Sequence, residues 1–276
     1  MNMKFKKGLI MALVALQLVF VLTACGNGLK VDPTKNADKD YVGSTEKDDY
    51  KYDVYKDYVK ITEYIGKDEV VIVPSELEEK EVKEIEEQAF KDKEGRNIKE
   101  VVLPNTITTM TQYSFNKLTT LEKISFNGQN PNFVYEDGII YSKDMKQIIT
   151  YPSKLSKKEY KIPDTVTEIS DSQFSNLTEL EKITIPKSVK YIGNWAFKNC
   201  SHIKSITLPK SVDSIGMAIF MGCADLKELT CPNKDINGLT TAGIMSAKLK
   251  TIKGYSGTNA EKLAKELDVK FVDLKD

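Results

Sequence analysis

A 23-residue period in the second half of the sequence constrains the fold more than any other feature. Residues 180–197 read LEKITIPKSVKYIGNWAF, and residues 203–220 read IKSITLPKSVDSIGMAIF. Units this short cannot bury an apolar face alone, so a fixed period of this length predicts a solenoid of stacked coils. The prolines that mark the period are Pro163, Pro186, Pro209 and Pro232. Phenylalanines follow the first three of them by 11 residues, at Phe174, Phe197 and Phe220.

Each repeat contains the pattern of one short strand. Ile183 and Ile185 are two residues apart, which places both on one face of a strand, and Thr184 between them faces outward. Proline then ends the strand because it lacks the N–H that a ladder needs. Gly193 and Gly216 share one position of the repeat, where we expect a bend with positive φ. Stacking the coils at about 4.8 Å places each phenylalanine on the previous one.

The period is interrupted between residues 127 and 160. Two apolar runs in that stretch are separated by polar turns, which predicts a β-meander inserted into the solenoid. Before the repeats, a tyrosine-rich stretch from Tyr50 favours short strands that cap the open end, with ligand stacking by the rings as the alternative. At the other end, Asn259 can cap a short helix that precedes a final strand.

The repeats resemble the BspA-like leucine-rich repeat family, whose units run L-x-x-I-x-L-P-x-x-L-x-x-I-G-x-x-A-F-x-x-C. The resemblance extends from Tyr58 to the end of the chain. It implies a right-handed leucine-rich-repeat solenoid with short strands and a C-terminal helix–strand cap. Together with the inserted β-meander, this makes the predicted fold class mainly β. Departures from the pattern predict irregular coils, and they occur at Leu118, Gln173, Leu177, Ile219 and Gly243.

The N-terminus reads as an export signal. A basic head is followed by the apolar stretch 8–21, which is shorter than the roughly 20 residues of a membrane span. The sequence Leu-Thr-Ala-Cys-Gly then resembles the lipobox of bacterial lipoproteins, which implies diacylation of the Cys25 thiol and a membrane anchor on the outer side of the cell membrane. The abundance of lysine favours a Gram-positive envelope. The predicted segments are the signal peptide 1–24, a flexible tether 25–49 and the solenoid 50–276, with caps 50–69 and 251–276 and the insertion 127–160.

Composition and motifs argue against most catalytic and cofactor-binding classes. The 40 basic and 40 acidic residues balance, so we expect no nucleic-acid partner. His202 is the only histidine, and no C-x-x-C pair, phosphate loop, dinucleotide fingerprint or calcium loop occurs, so we expect no metal, no cofactor and no enzymatic activity. Cys200 and Cys223 share one position of the repeat and could form a disulfide, but buried thiols in an apolar ladder are the better interpretation, for Cys231 as well.

One surface remains as a binding candidate. Side chains that point outward from the strands line the predicted concave face, where hydroxyl groups and flanking charges could recognise a protein or a glycan. A face that merely keeps the strands soluble is the equally weighted alternative. The candidate residues are Lys182, Thr184, Lys204, Ser205, Thr207, Lys227, Glu228 and Thr230.

These features predict a monomeric, surface-anchored interaction protein that is not an enzyme, with adhesion as one expression of that function. A structural or envelope-assembly lipoprotein without a host ligand is the alternative. A hydrolase would need a nucleophile or an acid/base pair, and the sequence offers neither. A solute-binding lipoprotein is disfavoured because repeats form a broad surface, whereas small molecules prefer enclosed pockets.

Overall fold

Strands dominate the chain, and the helices are short. The computed structural model describes residues 30, 33–35, 40–245 and 248–275, so the predicted signal peptide 1–24 and the lipid site Cys25 lie outside the described residues. The first ten strands are β1 (Tyr41–Lys47), β2 (Tyr50–Tyr55), β3 (Tyr58–Tyr64), β4 (Val70–Ile72), β5 (Glu76–Leu77), β6 (Lys80–Ile85), β7 (Glu100–Pro104), β8 (Lys123–Asn127), β9 (Phe133–Glu136) and β10 (Ile139–Ser142). The next ten are β11 (Ile148–Thr150), β12 (Glu159–Lys161), β13 (Glu168–Ile169), β14 (Lys182–Thr184), β15 (Tyr191–Ile192), β16 (Ser205–Thr207), β17 (Ser214–Ile215), β18 (Glu228–Thr230), β19 (Thr251–Gly254) and β20 (Lys270–Asp273). The α-helices of the described chain are α1 (Thr241–Ile244) and α2 (Asn259–Glu266), and single 3-10 turns span Pro33–Lys35 and Gln112–Ser114.

Short parallel strands stack from coil to coil in two series. The first series contains the strands that precede the repeat prolines and the parallel strands that pair with them, in the sheets β4-β7-β8, β12-β14 and β16-β18-β19-β20. The second series follows the prolines and contains the sheet β13-β15-β17. In β14, Ile183 is buried while Lys182 and Thr184 are exposed, as the two-residue alternation predicts. The mainly β repeat solenoid is therefore confirmed.

An aromatic column runs through the coils. The ring centroids of Phe174 and Phe197 are 5.5 Å apart, and those of Phe197 and Phe220 are 5.7 Å apart, with all three side chains buried. Because each ring stacks on the ring of the next coil, the predicted phenylalanine stack is confirmed. The N-terminal half has a matching stack, formed by Tyr64, Phe90 and Phe115.

The prediction of a positive φ at Gly193 and Gly216 is wrong. In this bend the residues with positive φ are Trp195 and Ala218, at 54° and 53°. Gly193 is needed for a different reason, because a Cβ there would lie 2.5 Å from the backbone nitrogen of Asp171 on the preceding coil. The glycine therefore permits close packing of coils, which a single repeat cannot reveal.

The inserted β-meander is confirmed, and it separates two apolar cores. Strands β9, β10 and β11 form an antiparallel sheet with β10 in the middle. Ile140 and Ile149 pack into the N-terminal core, whereas Ile139 and Ile148 pack into the C-terminal core. Since neighbouring residues of a strand point to opposite faces, both faces of this sheet are buried. The segment that interrupts the period thus forms a sheet that separates the N-terminal core from the C-terminal core.

The N-terminal sheet has the strand order β1-β2-β3-β6-β5. Strand β1 lies inside the predicted tether 25–49, so the expectation of a flexible segment up to residue 49 is corrected for residues 41–47, whose backbone pairs with β2. Tyr50, Tyr52 and Tyr64 are buried, and Tyr64 begins the N-terminal aromatic stack. Their burial favours the capping role over ligand stacking.

The chain ends on helix α2 and strand β20, which pairs in parallel with β19. Helix α2 packs Ala260, Leu263 and Ala264 into the C-terminal core. Its N-cap is Thr258, so the prediction that Asn259 caps the helix is wrong. The Asn259 side chain instead donates a hydrogen bond to the carbonyl oxygen of Ile236, at 3.1 Å.

Candidate functional site

The outward side chains of the first strand series, together with the residue that precedes each strand, form a surface that we call the strand face. Five of its predicted binding residues are exposed and three are half-buried. The exposed ones are Lys182, Thr184, Lys204, Ser205 and Thr207, and the half-buried ones are Lys227, Glu228 and Thr230.

Parallel pairing brings hydroxyl groups of the strand face into rows. Ser205 pairs with Glu228, and Glu228 pairs with Thr251 on the following strand. Two residues further along, Thr207 pairs with Thr230. Because neighbouring strands lie about 4.8 Å apart, each row offers hydrogen-bonding groups at the spacing of the coils.

The predicted residues do not all belong to one sheet. Strand β14, with Lys182 and Thr184, pairs with β12, whereas β16 and β18 belong to the next sheet. Lys182 lies opposite Glu159, and Thr184 lies opposite Lys161. The eight predicted residues are therefore divided between two hydrogen-bonded ladders.

Ion pairs neutralise two of the predicted binding residues. The Lys182 ammonium lies 3.3 Å from the Glu159 carboxylate, and the Glu228 carboxylate lies 2.8 Å from the Lys253 ammonium. Both pairs join adjacent strands at the surface, the first exposed and the second half-buried, so each contributes little stability in water, roughly 0–1 kcal/mol. Their main consequence is that neither Lys182 nor Glu228 presents a free charge to a ligand.

Lys204 and Lys227 differ from Lys182 in their partners. Lys227 Nζ donates a hydrogen bond to the carbonyl oxygen of Ala224, at 3.2 Å, which is a neutral acceptor. Within the described chain, Lys204 and Lys227 have no carboxylate within ion-pair distance. Lys250 lies 23 residues after Lys227 and belongs to the same series. The sequence pattern does not single it out, because the prolines that mark the period end at Pro232.

The first strand of the series departs from this polar character. Val70 and Ile72 on β4 are 51% and 67% exposed. The sequence Val-Val-Ile is uniformly apolar, so it gives no sign of which side faces water. The exposure of apolar side chains on this edge strand could therefore not be predicted from its sequence.

The three cysteines of the described chain are free, buried thiols. Cys200 Sγ donates to the carbonyl oxygen of Phe174, and Cys223 Sγ donates to that of Phe197, at 2.9 and 3.1 Å. Burial raises the pKa of the Cys200 thiol well above its ordinary value, that of Cys223 to about 12 and that of Cys231 to about 11. Thiols held in the protonated form are poor nucleophiles and metal ligands. The interpretation as apolar ladder residues therefore agrees with the structure.

His202 lies in an exposed turn, and its Nδ1 contacts the carbonyl oxygen of Thr178. A carbonyl oxygen only accepts hydrogen bonds, so Nδ1 is the protonated nitrogen in this contact. Ser201 Oγ lies 3.4 Å from the same nitrogen. A nitrogen that already donates its proton cannot act as a base toward Ser201, so this neighbouring pair lacks the geometry of an activated nucleophile.

A small cavity lies where the meander meets the coils on either side. Three buried polar atoms without a protein partner line it, namely Asn116 Oδ1, Thr150 Oγ1 and Tyr151 OH. Its volume is about 30 Å³, whereas one water molecule needs roughly 10–15 Å³ on this measure. The cavity is therefore of the size for bound water and too small for a substrate.

In the part of the chain that the structure describes, no three His, Cys, Asp or Glu side chains are grouped so as to hold a metal ion. Among the same residues, no helix has both the length and the apolar character that crossing a membrane requires.

Comparison with known proteins identifies the repeats. The BspA type leucine-rich repeat region matches in six copies, over residues 75–161 and 149–262. Together these ranges cover more than half of the chain. Curated proteins give no match.

Solved structures of similar fold are bacterial leucine-rich repeat proteins. One from Eubacterium ventriosum is 29% identical with a TM-score of 0.52, and the match covers 59% of this chain and 44% of that one. This chain thus spans less than half of that relative. A cell surface protein of Faecalibacterium prausnitzii is 12% identical, with a TM-score of 0.40 and coverage of 82% and 98%. The pneumococcal vaccine antigen PcpA is 14% identical, with a TM-score of 0.44 and coverage of 85% and 99%. On the extent of the repeat match, this chain belongs to the BspA-type leucine-rich repeat family.

Proposed function

We propose that this protein is a non-enzymatic interaction protein at the bacterial cell surface, which binds a protein or a glycan with its strand face. The observation that carries the proposal is the alternation of the strands. Strands such as β14 and β16 bury the central residue and hold its two neighbours outward, so the coils present an ordered surface. Extended surfaces of this kind are what repeat proteins use for binding.

The family supports the cellular location. Proteins of the BspA type are typically found at the surface of bacteria. The lipobox-like sequence at Cys25 supplies a means of attachment, because a diacylglyceryl group holds a protein firmly at a bilayer at about 0.8 kcal/mol per buried methylene. We therefore include lipid anchoring through Cys25 in the proposal.

The binding role is tested with substitutions on the strand face. The full chain with Cys25→Ser is used for pull-down from surface extracts of host and bacterial cells. Replacing Thr184 and Thr207 together by arginine adds two bulky charges to the strand face, and we expect loss of the captured partner. The matched control replaces Tyr191 and Met217 by arginine, which are 38% and 59% exposed and lie on the second strand series or next to it. Capture that survives the Thr184 and Thr207 substitutions, or that only the control abolishes, would contradict a role for the strand face.

The anchor is tested separately. Mass spectrometry of the membrane fraction should show a diacylglyceryl group on Cys25, and Cys25→Ser should release the protein from that fraction. An unmodified mature chain found only in the soluble fraction would refute the anchor.

A further inference from the structure

Three lysines stack on neighbouring coils at one edge of the strand face. The Lys227 backbone nitrogen donates to the carbonyl oxygen of Lys204 at 2.9 Å, and the Lys250 nitrogen donates to that of Lys227 at 2.8 Å. These bonds place the three residues directly above one another, at the spacing of adjacent strands, about 4.8 Å. Lys204 and Lys250 are exposed and Lys227 is half-buried. We call this set the lysine column.

The same position of the earlier coils carries charges of alternating sign. The residues there are Glu69, Lys99 and Glu122 before the meander, and Lys158 and Glu181 after it. Lys99 pairs with Glu69 at 2.7 Å, and Lys158 pairs with Glu181 at 2.9 Å. The alternating charges thus balance one another along this edge of the surface in the coils that precede the lysine column.

Two of the carboxylates next to the lysine column are already paired. Glu181 on the preceding coil is bound by Lys158, and Glu228 beside Lys227 is bound by Lys253 at 2.8 Å. Within the described residues, no ion pair involves the ammonium groups of the column. The charge of the column is therefore available to a ligand.

The turns that lead into β16, β18 and β19 add to this charge. They contain the three lysines of the column and Lys248, against one acidic residue, Asp225, which leaves a local excess of three positive charges. The whole chain carries no net charge, so the column is a local feature. Like charges at the spacing of adjacent strands are unfavourable, and an anionic ligand relieves their repulsion.

The neighbouring outward side chains indicate the class of anion. Beside the column lie the hydroxyl groups of Ser205, Thr207, Thr230 and Thr251, and no aromatic ring occupies these positions of β16, β18 and β19. Binding of single-stranded nucleic acid relies on aromatic rings on which bases stack. Hydroxyl groups beside cations instead suit a ligand that combines acidic groups with many hydroxyl groups.

We propose that Lys204, Lys227 and Lys250 bind an extended anionic glycan whose sulfate, phosphate or carboxylate groups span consecutive coils. This inference rests on the proposed function and assigns a ligand class to the C-terminal part of the strand face. The chain of the glycan runs across the strands, because the three ammonium groups follow the axis of the solenoid.

The test compares two triple variants of the full chain with Cys25→Ser. One replaces Lys204, Lys227 and Lys250 by glutamine. The matched control replaces Lys99, Lys123 and Lys182 by glutamine. These lysines belong to the same face and the substitutions remove the same charge, but each lysine is ion-paired with a carboxylate that does not lie beside the column. The probe is dextran sulfate, with neutral dextran and a single-stranded oligonucleotide as comparisons, measured by calorimetry at 50 and 300 mM NaCl.

We expect the wild-type protein and the paired-lysine control to bind dextran sulfate, and the column variant to bind roughly tenfold more weakly or worse. Raising the salt should weaken binding by the wild-type protein more than binding by the column variant. Equal losses in the two variants, no binding by the wild-type protein, or equal affinity for the oligonucleotide would overturn the inference. If dextran sulfate fails while the Thr184 and Thr207 substitutions still abolish capture of a partner, the proposed function stands and the glycan assignment alone falls.

Discussion

Asp171 accepts two hydrogen bonds from Asn194, the residue 23 positions later on the next coil. The Asn194 backbone nitrogen donates to Oδ1 at 2.8 Å, and its side-chain Nδ2 donates to Oδ2 at 3.1 Å. Asn194 Oδ1 in turn accepts a bond from the backbone nitrogen of Met217, at 2.8 Å. A polar ladder therefore joins three coils at the bend that the glycines allow to pack closely.

Replacing Asn194 by alanine removes the two side-chain bonds of this ladder. At about 0.5–1.5 kcal/mol for each hydrogen bond, we expect the free energy of unfolding to fall by about 1–3 kcal/mol. Urea unfolding followed by circular dichroism measures the change. Lys190→Ala, an exposed substitution on the same coil, is the control and should change stability by less than about 0.5 kcal/mol. Equal effects of the two substitutions would show that the ladder does not stabilise the stack.

The aromatic column should be far more sensitive than the surface beside it. Phe197 is fully buried between two rings, so Phe197→Ala should cost about 3–5 kcal/mol. Trp195, two residues away, is 39% exposed, and Trp195→Ala should cost much less. Thermal unfolding followed by circular dichroism compares the two variants. A melting curve that Phe197→Ala barely changes would contradict the stacked column.

Buried tyrosines at the meander differ in whether their hydroxyl groups have a protein partner. The hydroxyl groups of Tyr141 and Tyr160 are 2.8 Å apart, whereas that of Tyr151 has no protein partner. Tyr141→Phe leaves the Tyr160 hydroxyl unsatisfied in the core, which should cost about 1–3 kcal/mol. Tyr151→Phe breaks no bond within the protein and should cost less. Chemical unfolding of both variants tests this order, and the reverse order would show that water in the cavity holds the Tyr151 hydroxyl strongly.

The parts of the structure that the sequence predicted are those that repeat. A residue such as Phe197 recurs at a fixed position, so its period alone indicates that it stacks on its equivalents. Gly193 also recurs, but its reason lies in the distance to Asp171 on another coil, and the sequence suggested a positive φ instead. The charge state of the strand face was equally hidden, because Lys182 and Lys204 look alike until Glu159 is seen beside the first.

The meander shows the same limit at larger scale. Its apolar runs predicted strands, yet adjacent isoleucines such as Ile139 and Ile140 serve different cores. A run that is apolar at every position shows no alternation of polar and apolar residues, so its sequence cannot tell a strand buried on both faces from one buried on a single face. The same uniformity concealed the exposure of Ile72.

Stability should fall at alkaline pH because of the buried thiols. Burial raises the pKa of Cys223 from 9.0 to about 12 and that of Cys231 to about 11, and it also raises the pKa of Cys200. A pKa that is higher in the folded state means that the unfolded chain releases its proton first. The contribution of the thiols is therefore fully present below about pH 8.5 and declines as the pH rises toward the folded values.

Comparing urea unfolding at pH 7.5 and 9.5 tests this linkage. Lysines and tyrosines also titrate in alkali, so the control is a variant in which alanine replaces Cys200, Cys223 and Cys231, measured in the same Cys25→Ser background. Between pH 7.5 and 9.5, we expect the free energy of unfolding to fall more for the protein with its three thiols than for the alanine control. The reason is that the thiols ionise in the unfolded chain at pH 9.5, whereas the control has no thiols to ionise. Labelling by a disulfide reagent at pH 8 should also proceed no faster than unfolding. Identical pH slopes together with rapid labelling of the folded protein would show that the three thiols are accessible and that burial does not hold them protonated.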